Sequence, residues 1–316
     1  MKNVITIVVL CCFLLVGCTN TDKNVEKFNE NVVKENEILE KEEIKNEISG
    51  EIIEEVKIEE SGEIVITSGE TEEPKVEIIE TSTSNLSNTT CAWGFVRKKN
   101  NVTPEFSAKY TKPLDAYEGI YVGNKEEKKI YLTFDEGYEN GYTGAILDTL
   151  KETEVTAVFF VTMPYVKQNA DLVKRMIDEG HIVGNHTVNH PSMPEVLDDE
   201  KLKKEIMDLH DYLKDNFNYE MTFLRPPKGE YSERTLKIAL DLGYRTVLWS
   251  SAYDDWDVNK QARLDYARGM ILNNLHNGSV ILLHAVSKDN TALLGEVIDE
   301  TRKQGYEFCS LNEFKY

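Results

Sequence analysis

The chain has 316 residues, 41% of them hydrophobic, and carries 36 Lys and Arg against 56 Asp and Glu, a formal charge of −20. That length accommodates one large folded domain or two small ones, and the acidity excludes a nucleic-acid binder, which needs a concentrated basic footprint. The charge is unevenly placed: residues 19–90 hold 20 acidic residues and seven lysines, a local −13, with Phe28 as their only aromatic residue, whereas all three Trp and all 15 Tyr lie beyond residue 90.

In chain order, Met1-Lys2-Asn3 precedes an apolar run over 4–17 that is too short to span a bilayer and suits the hydrophobic region of a signal peptide. The run ends Leu15-Val16-Gly17-Cys18, which resembles a bacterial lipobox. This predicts cleavage before Cys18, lipid on its thiol, and an extracytoplasmic, membrane-anchored lipoprotein. Residues 19–90 combine high charge with few aromatics, so they cannot offset the entropy of ordering. A disordered acidic tether is expected there, with an r.m.s. span of about 45 Å. Its weak apolar series Ile44, Ile48, Ile52, Val56 is interrupted by Gly50. Once the leader is lost and Cys18 lipidated, Cys91 and Cys309 remain; a disulfide between them and two buried thiols are both open.

Residues 91–128 read as an irregular N-terminal extension. From Lys129 onward short apolar runs alternate with amphipathic segments. Strands are expected over 130–134, 157–161, 181–184, 246–249 and 280–283. The clearest helix places Leu202, Ile206, Leu209, Leu213 and Phe217 on one face and turns Lys203, Lys204 and Asp208 outward. That alternation predicts an α/β fold, a mainly parallel sheet or barrel with its chemistry at the strand ends.

The chemistry-bearing residues follow those strands. Thr133-Phe134-Asp135-Glu136-Gly137-Tyr138 puts two carboxylates at the end of the first, and Asn185-His186-Thr187-Val188-Asn189-His190 ends the third. Histidines four apart on one face of a helical turn can share a metal, and a nearby carboxylate leaves an open position for water. Arg225-Pro226-Pro227-Lys228-Gly229, Asp254-Asp255-Trp256 and Leu282-Leu283-His284 complete the series. No Gly-x-Ser-x-Gly spelling surrounds Ser250 or Ser251, which argues against a serine nucleophile. His181 reads as a packing or hydrogen-bonded residue, His210 and His276 as surface or boundary positions, and Trp249 as core.

The five motifs in this order resemble the polysaccharide deacetylases of the NodB-homology type, carbohydrate esterase family 4, over residues 129–316. Thr-Phe-Asp-x-Gly-Tyr-Glu-Asn-Gly, Asn-His-x-x-x-His, Arg-Pro-Pro-x-Gly and Leu-Leu-His-x-Val-Ser are most similar to the δ-lactam-forming muramic acid deacetylases of spore formers, as is the entry Trp93-Gly94-Phe95. The resemblance implies a distorted (β/α) barrel of about seven parallel strands. It implies a divalent metal, zinc for preference, on His186 and His190; Asp135 as general base; His284 as general acid; Arg225 orienting Asp135; and Asp255 holding His284 and favouring its protonated form. It also implies a backbone amide at Lys228 in an oxyanion site, and Trp256 with Leu282 around the acetyl methyl. Glu136 stands where most members carry a second Asp as third ligand, and whether it ligates stays open. Lys228 replaces an aromatic residue; it is either exposed or a contact for a lactyl carboxylate.

The expected activity is de-N-acetylation of N-acetylmuramic acid in peptidoglycan strands from which an amidase has removed the stem peptides, leading to muramic δ-lactam in spore cortex. The alternatives are an N-acetylglucosamine deacetylase of peptidoglycan or a chitin-like polymer, and a non-catalytic glycan-binding lipoprotein.

Overall fold

The computed structural model describes residues 85–314 and, before them, the strands Glu55–Ile58 and Ile64–Thr67. The expected leader, Cys18 and most of the expected tether lie outside the described residues. Inside the tether segment the two strands pair antiparallel, Glu55 opposite Thr67, where an unstructured stretch was expected. The run Ile64-Val65-Ile66-Thr67 consists entirely of β-branched residues, which favour a strand even in an acidic context. This ribbon belongs to a unit, Met1–Glu80, separate from Thr81–Tyr316.

The second unit is built on a seven-stranded sheet: β1 (Lys129–Glu136), β2 (Val158–Val161), β3 (Ile182–Asn185), β4 (Phe223–Leu224), β5 (Arg245–Thr246), β6 (Ser279–His284) and β7 (Glu307–Phe308). Its order is β5-β4-β3-β2-β1-β6, with β7 also paired to β1, and every pairing is parallel. The sheet curls into a half-barrel whose open side is bridged by Ile120 against Val247 and Ser251 against Ile281. The strand expected over 246–249 shrinks to β5, since beyond Thr246 the chain leaves the ladder for these isolated bridges. β4 and β7, two residues each, carry no apolar run long enough to announce them.

Side-chain alternation sorts the strands into two faces. On β1, Leu132 and Phe134 join the cluster under the helices, with Phe159 and Val161 of β2 and Val183 of β3. Tyr131 faces the barrel interior with Val158, Phe160, Ile182 and Val280. Gly184 of β3 is an interior position covered by the Phe160 ring, which a Cβ there would meet at 2.5 Å.

Three helices bear directly on the site: α1 (Thr143–Glu152), α2 (Asp199–Phe217) and α3 (Lys288–Lys303). In α2 the side chain of Asp198 accepts from Lys201 N at 3.1 Å, and Asn218 stops the helix in the left-handed conformation. Leu202, Ile206, Leu209 and Leu213 are buried and Phe217 packs beside them, matching the expected stripe. Each such burial contributes about 1.5–3 kcal/mol.

The extension over 91–128 is more ordered than its sequence suggests. Cys91–Ala92 pairs antiparallel with Glu230–Tyr231, Phe95–Val96 with Glu105–Phe106, and a helix runs Ala108–Ala116. The domain starts before Cys91, because Asn88 Nδ2 donates to Pro194 O and its Oδ1 accepts from Ser232 and Arg234. Cys91 and Cys309 are free buried thiols in separate apolar clusters.

Candidate active site

Asp135 lies at the end of β1 on the interior face, in register with Phe160 of β2 and His284 of β6. Arg225, fully buried just after β4, donates from Nη1 to Asp135 Oδ1 at 2.7 Å and from Nη2 to Thr133 Oγ1 at 2.8 Å. Its guanidinium stacks on Phe160, 4.2 Å from the ring centroid, and faces Trp249 at 5.6 Å. Burial alone would push the Asp135 carboxyl up; Arg225, aided by His186 and His284, outweighs it and holds the carboxyl below its ordinary range. Asp135 is thus ionised near neutral pH and able to take a proton.

The two histidines meet, but not on a helix. Residues 186–190 form a bend in which Thr187 and His190 take positive φ, 67° and 57°. The strain persists because the bend is tied down: Thr187 N donates to Asn185 Oδ1, His190 N to Thr187 Oγ1, and Val188 N and Asn189 N to Glu205 of α2. His186 Nε2 and His190 Nε2 end 3.1 Å apart, with Asp135 Oδ2 3.6 Å from the former.

The Arg225 carbonyl lies 2.7 Å from His186 Nδ1. A carbonyl only accepts, so Nδ1 carries the proton and Nε2 is left as a lone pair. Burial pushes the His186 pKa down to about 4 and that of His190 below its ordinary value, keeping both rings in the neutral form a metal requires. Nitrogens bound at about 2.0–2.1 Å to one tetrahedral ion lie roughly 3.4 Å apart, so the pair fits a divalent cation as two donors.

The structure does not bring Glu136 to that pair. Strand alternation turns it to the helix side of β1, where it is fully buried with Oε1 3.4 Å from Thr143 Oγ1 of α1. Its Oε2 has no hydrogen-bond partner. Burial, reinforced by the Glu139 carboxylate, raises its pKa well above the ordinary glutamate value. Among the described residues no three His, Cys, Asp or Glu side chains cluster as a metal site.

His284 ends β6. Asp255 takes its Nδ1 at 2.8 Å and its backbone N–H at 2.7 Å. Burial alone would lower the imidazole pKa, but the Asp255 carboxylate outweighs it and raises it, favouring the protonated ring. Asn290 of α3 donates to Asp255 Oδ2 at 2.6 Å and itself bonds Tyr253.

The Arg225-Pro226-Pro227-Lys228-Gly229 segment makes a short turn in which Lys228 is exposed at φ 59° and Gly229 sits at φ 67°. Leu282 is buried in β6 opposite Thr133, and Trp256 is largely exposed beside Asp255. Thr133, Asn290 and Tyr253 support the site without having been singled out from the sequence. Thr133 carried a signal, the strand alternation that places it two residues before Asp135; Asn290 and Tyr253 carried none.

His276 is wholly buried rather than at the surface, bonded to Ser250 Oγ and the Asn274 carbonyl. His181 accepts from Ala157 N, and His210 bonds Tyr244 OH.

A family model described as polysaccharide deacetylase matches residues 122–247. The chain is 42% identical over 230 residues to the peptidoglycan-N-acetylmuramic acid deacetylase PdaA of Bacillus subtilis, which covers 71% of this chain and 85% of that protein. It is 35% identical over 192 residues to a peptidoglycan-N-acetylglucosamine deacetylase of Bacillus cereus, covering 59% and 88%. The solved structure of Bacillus subtilis PdaA, described as a family 4 carbohydrate esterase, is similar with a TM-score of 0.70 at 40% identity, over 72% of this chain and 98% of that one.

Proposed function

The chain belongs to the polysaccharide deacetylase family, and from that premise we propose that it hydrolyses the acetamide of N-acetylmuramic acid in peptidoglycan, releasing acetate and leaving a free amine. The observation that carries this reading is a carboxylate and an imidazole in register on adjacent strands, each with its own counter-charge. Asp135, bound by Arg225, stands opposite His284, whose protonated form Asp255 favours.

In this reading Asp135 accepts the proton of the attacking water, and His284 gives its proton to the departing amine nitrogen. Arg225 fixes the carboxylate and Asp255 the imidazole. The Lys228 backbone N–H contributes to the oxyanion site, and Trp256 with Leu282 bounds the acetyl group. A divalent cation on His186 and His190, zinc by the chemistry of two imidazole donors, supplies Lewis-acid polarisation of the acetamide carbonyl when bound.

The muramic assignment is supported by the name of the Bacillus subtilis relative and by Lys228, whose amine suits a lactyl carboxylate. We place the reaction after amidase removal of stem peptides and before muramic δ-lactam formation in spore cortex. The lipobox spelling supports a lipid-anchored enzyme acting outside the cytoplasm. The Bacillus cereus relative favours N-acetylglucosamine as the second reading.

Acetate release from peptide-stripped and intact glycan strands separates the two: preference for stripped strands is expected, and equal rates on both with glucosamine as product would replace muramic acid. Asp135→Asn is expected to lower release by about 10²–10⁴-fold. Its fold is followed in parallel, because the buried guanidinium loses its counter-charge at a cost of about 3–5 kcal/mol. Unchanged release in the folded variant overturns the assignment of the base.

A further inference from the structure

We propose that Trp93 is a positioning residue for the substrate turn, acting through Gly229 and Trp249 and not through contact with the glycan; this rests on the deacetylase reading above. The turn holds two consecutive residues at positive φ, Lys228 at 59° and Gly229 at 67°. The first has a side chain, and such a conformation lasts only where its surroundings over-determine it. Within the turn two backbone bonds, Gly229 N to Pro226 O at 3.0 Å and Glu230 N to Pro227 O, do part of that work. The rest comes from the N-terminal extension. Trp93 N donates to Gly229 O at 2.9 Å, and the ladder continues with Ala92 opposite Glu230 and Cys91 opposite Tyr231.

The Trp93 side chain closes the clamp from a second direction. Its Nε1 donates to Trp249 O at 2.8 Å, and its ring stacks on Phe106 at 5.6 Å and tilts against Tyr121 at 5.3 Å. Gly229 is wedged between the two tryptophans: a Cβ there would lie 2.9 Å from the Trp249 ring and 3.1 Å from Trp93 Cβ. Trp249 in turn faces the Arg225 guanidinium that holds Asp135. Residue 93 therefore meets the turn directly through its backbone N–H, while its indole fixes the Trp249 carbonyl and with it the ring that packs on Gly229 and lies behind the arginine of the proposed base. An error of about 1 Å in such placement costs on the order of 10²-fold in rate.

The test uses the full chain with Trp93→Ala and Trp93→Phe, amide hydrogen exchange of the peptide spanning 225–231, and acetate release from glycan strands. Exchange in that peptide is expected to quicken at least tenfold in Trp93→Ala while the peptide over β1 keeps its rate. The kcat falls by 10-fold or more with KM within threefold, and the alkaline limb of the pH profile stays in place because His284 and Asp255 are untouched. Trp93→Phe, which keeps the ring stacking and loses the bond to Trp249, gives a smaller change in both readouts. Should Trp93→Ala not fold, Trp93→Phe alone decides, its turn exchanging faster than wild type in support and at the wild-type rate in refutation. Unchanged exchange, or a kcat within twofold of wild type, overturns the proposal. If the wild type releases no acetate while the 225–231 peptide still loosens in Trp93→Ala, the deacetylase reading falls and the clamp stands.

Discussion

Burial drives the adjacent carboxyls of Asp135 and Glu136 in the same direction, upward, and only Asp135 has a counter-charge to reverse it. A carboxyl whose folded pKa is raised stabilises fully below its unfolded value, and that stability is lost as pH rises through the folded one. The domain is therefore expected to lose thermal stability above the ordinary glutamate range, and Glu136→Gln to flatten that loss. The difference in Tm between variant and wild type should widen with pH, by about 2–4 °C for each kcal/mol relieved. Because Glu136 faces α1, the same variant should keep its divalent cation in equilibrium dialysis while His186→Ala loses it. Cation loss on Glu136→Gln would restore the carboxylate as a ligand. His284 is shifted in the same direction, but by a counter-charge: Asp255 raises its pKa, and in the proposed reaction the proton-bearing ring is the working form. Asp255→Asn should shift the alkaline limb of kcat/KM to lower pH and reduce kcat by about 10²-fold; an unmoved limb would assign it to another group.

At the scale of elements, the sequence displayed what periodicity and motif order can encode. The α2 stripe from Leu202 to Leu213 and the long strands β1 and β6 were legible because each repeats its pattern over several positions. β4 and β7 were not, since two residues carry no period, and their pairing is decided by neighbours distant in the chain. Asp135, Arg225, Asp255 and His284 were legible as residues through the motif set, and the structure adds who touches whom. The bend over 186–190 is not legible in the sequence, because a helical turn shares its four-residue spacing. Positive φ at Thr187 and His190 leaves no trace in side-chain type. Glu136 illustrates the same limit: adjacency to Asp135 looks like cooperation until strand alternation places the two carboxyls on opposite faces.

For the molecule as a whole, the charge of −20 divides into −13 over residues 19–90 and a much milder excess in the folded domain. The boundary between them falls ahead of Cys91. Asn88 holds Ser232, Arg234 and the Pro194 carbonyl, and Ser87 O accepts from Arg234 N. A chain beginning at Thr81 should melt like the full protein, whereas one beginning at Cys91 should lose about 1–3 kcal/mol as buried Ser232 and Arg234 each lose their bond to Asn88. Equal Tm for the two would move the start of the domain to Cys91. The pairing of β1 with β6 and β7 has a consequence for biogenesis. Asp135 emerges early in synthesis and His284 near its end, and the strand holding the first gains two of its three partners only when the C-terminal segment exists. A chain that ends before His284 lacks one member of the proposed donor and acceptor pair, and one that ends before Glu307 leaves Lys129 and Ile130 without the partner strand beside them.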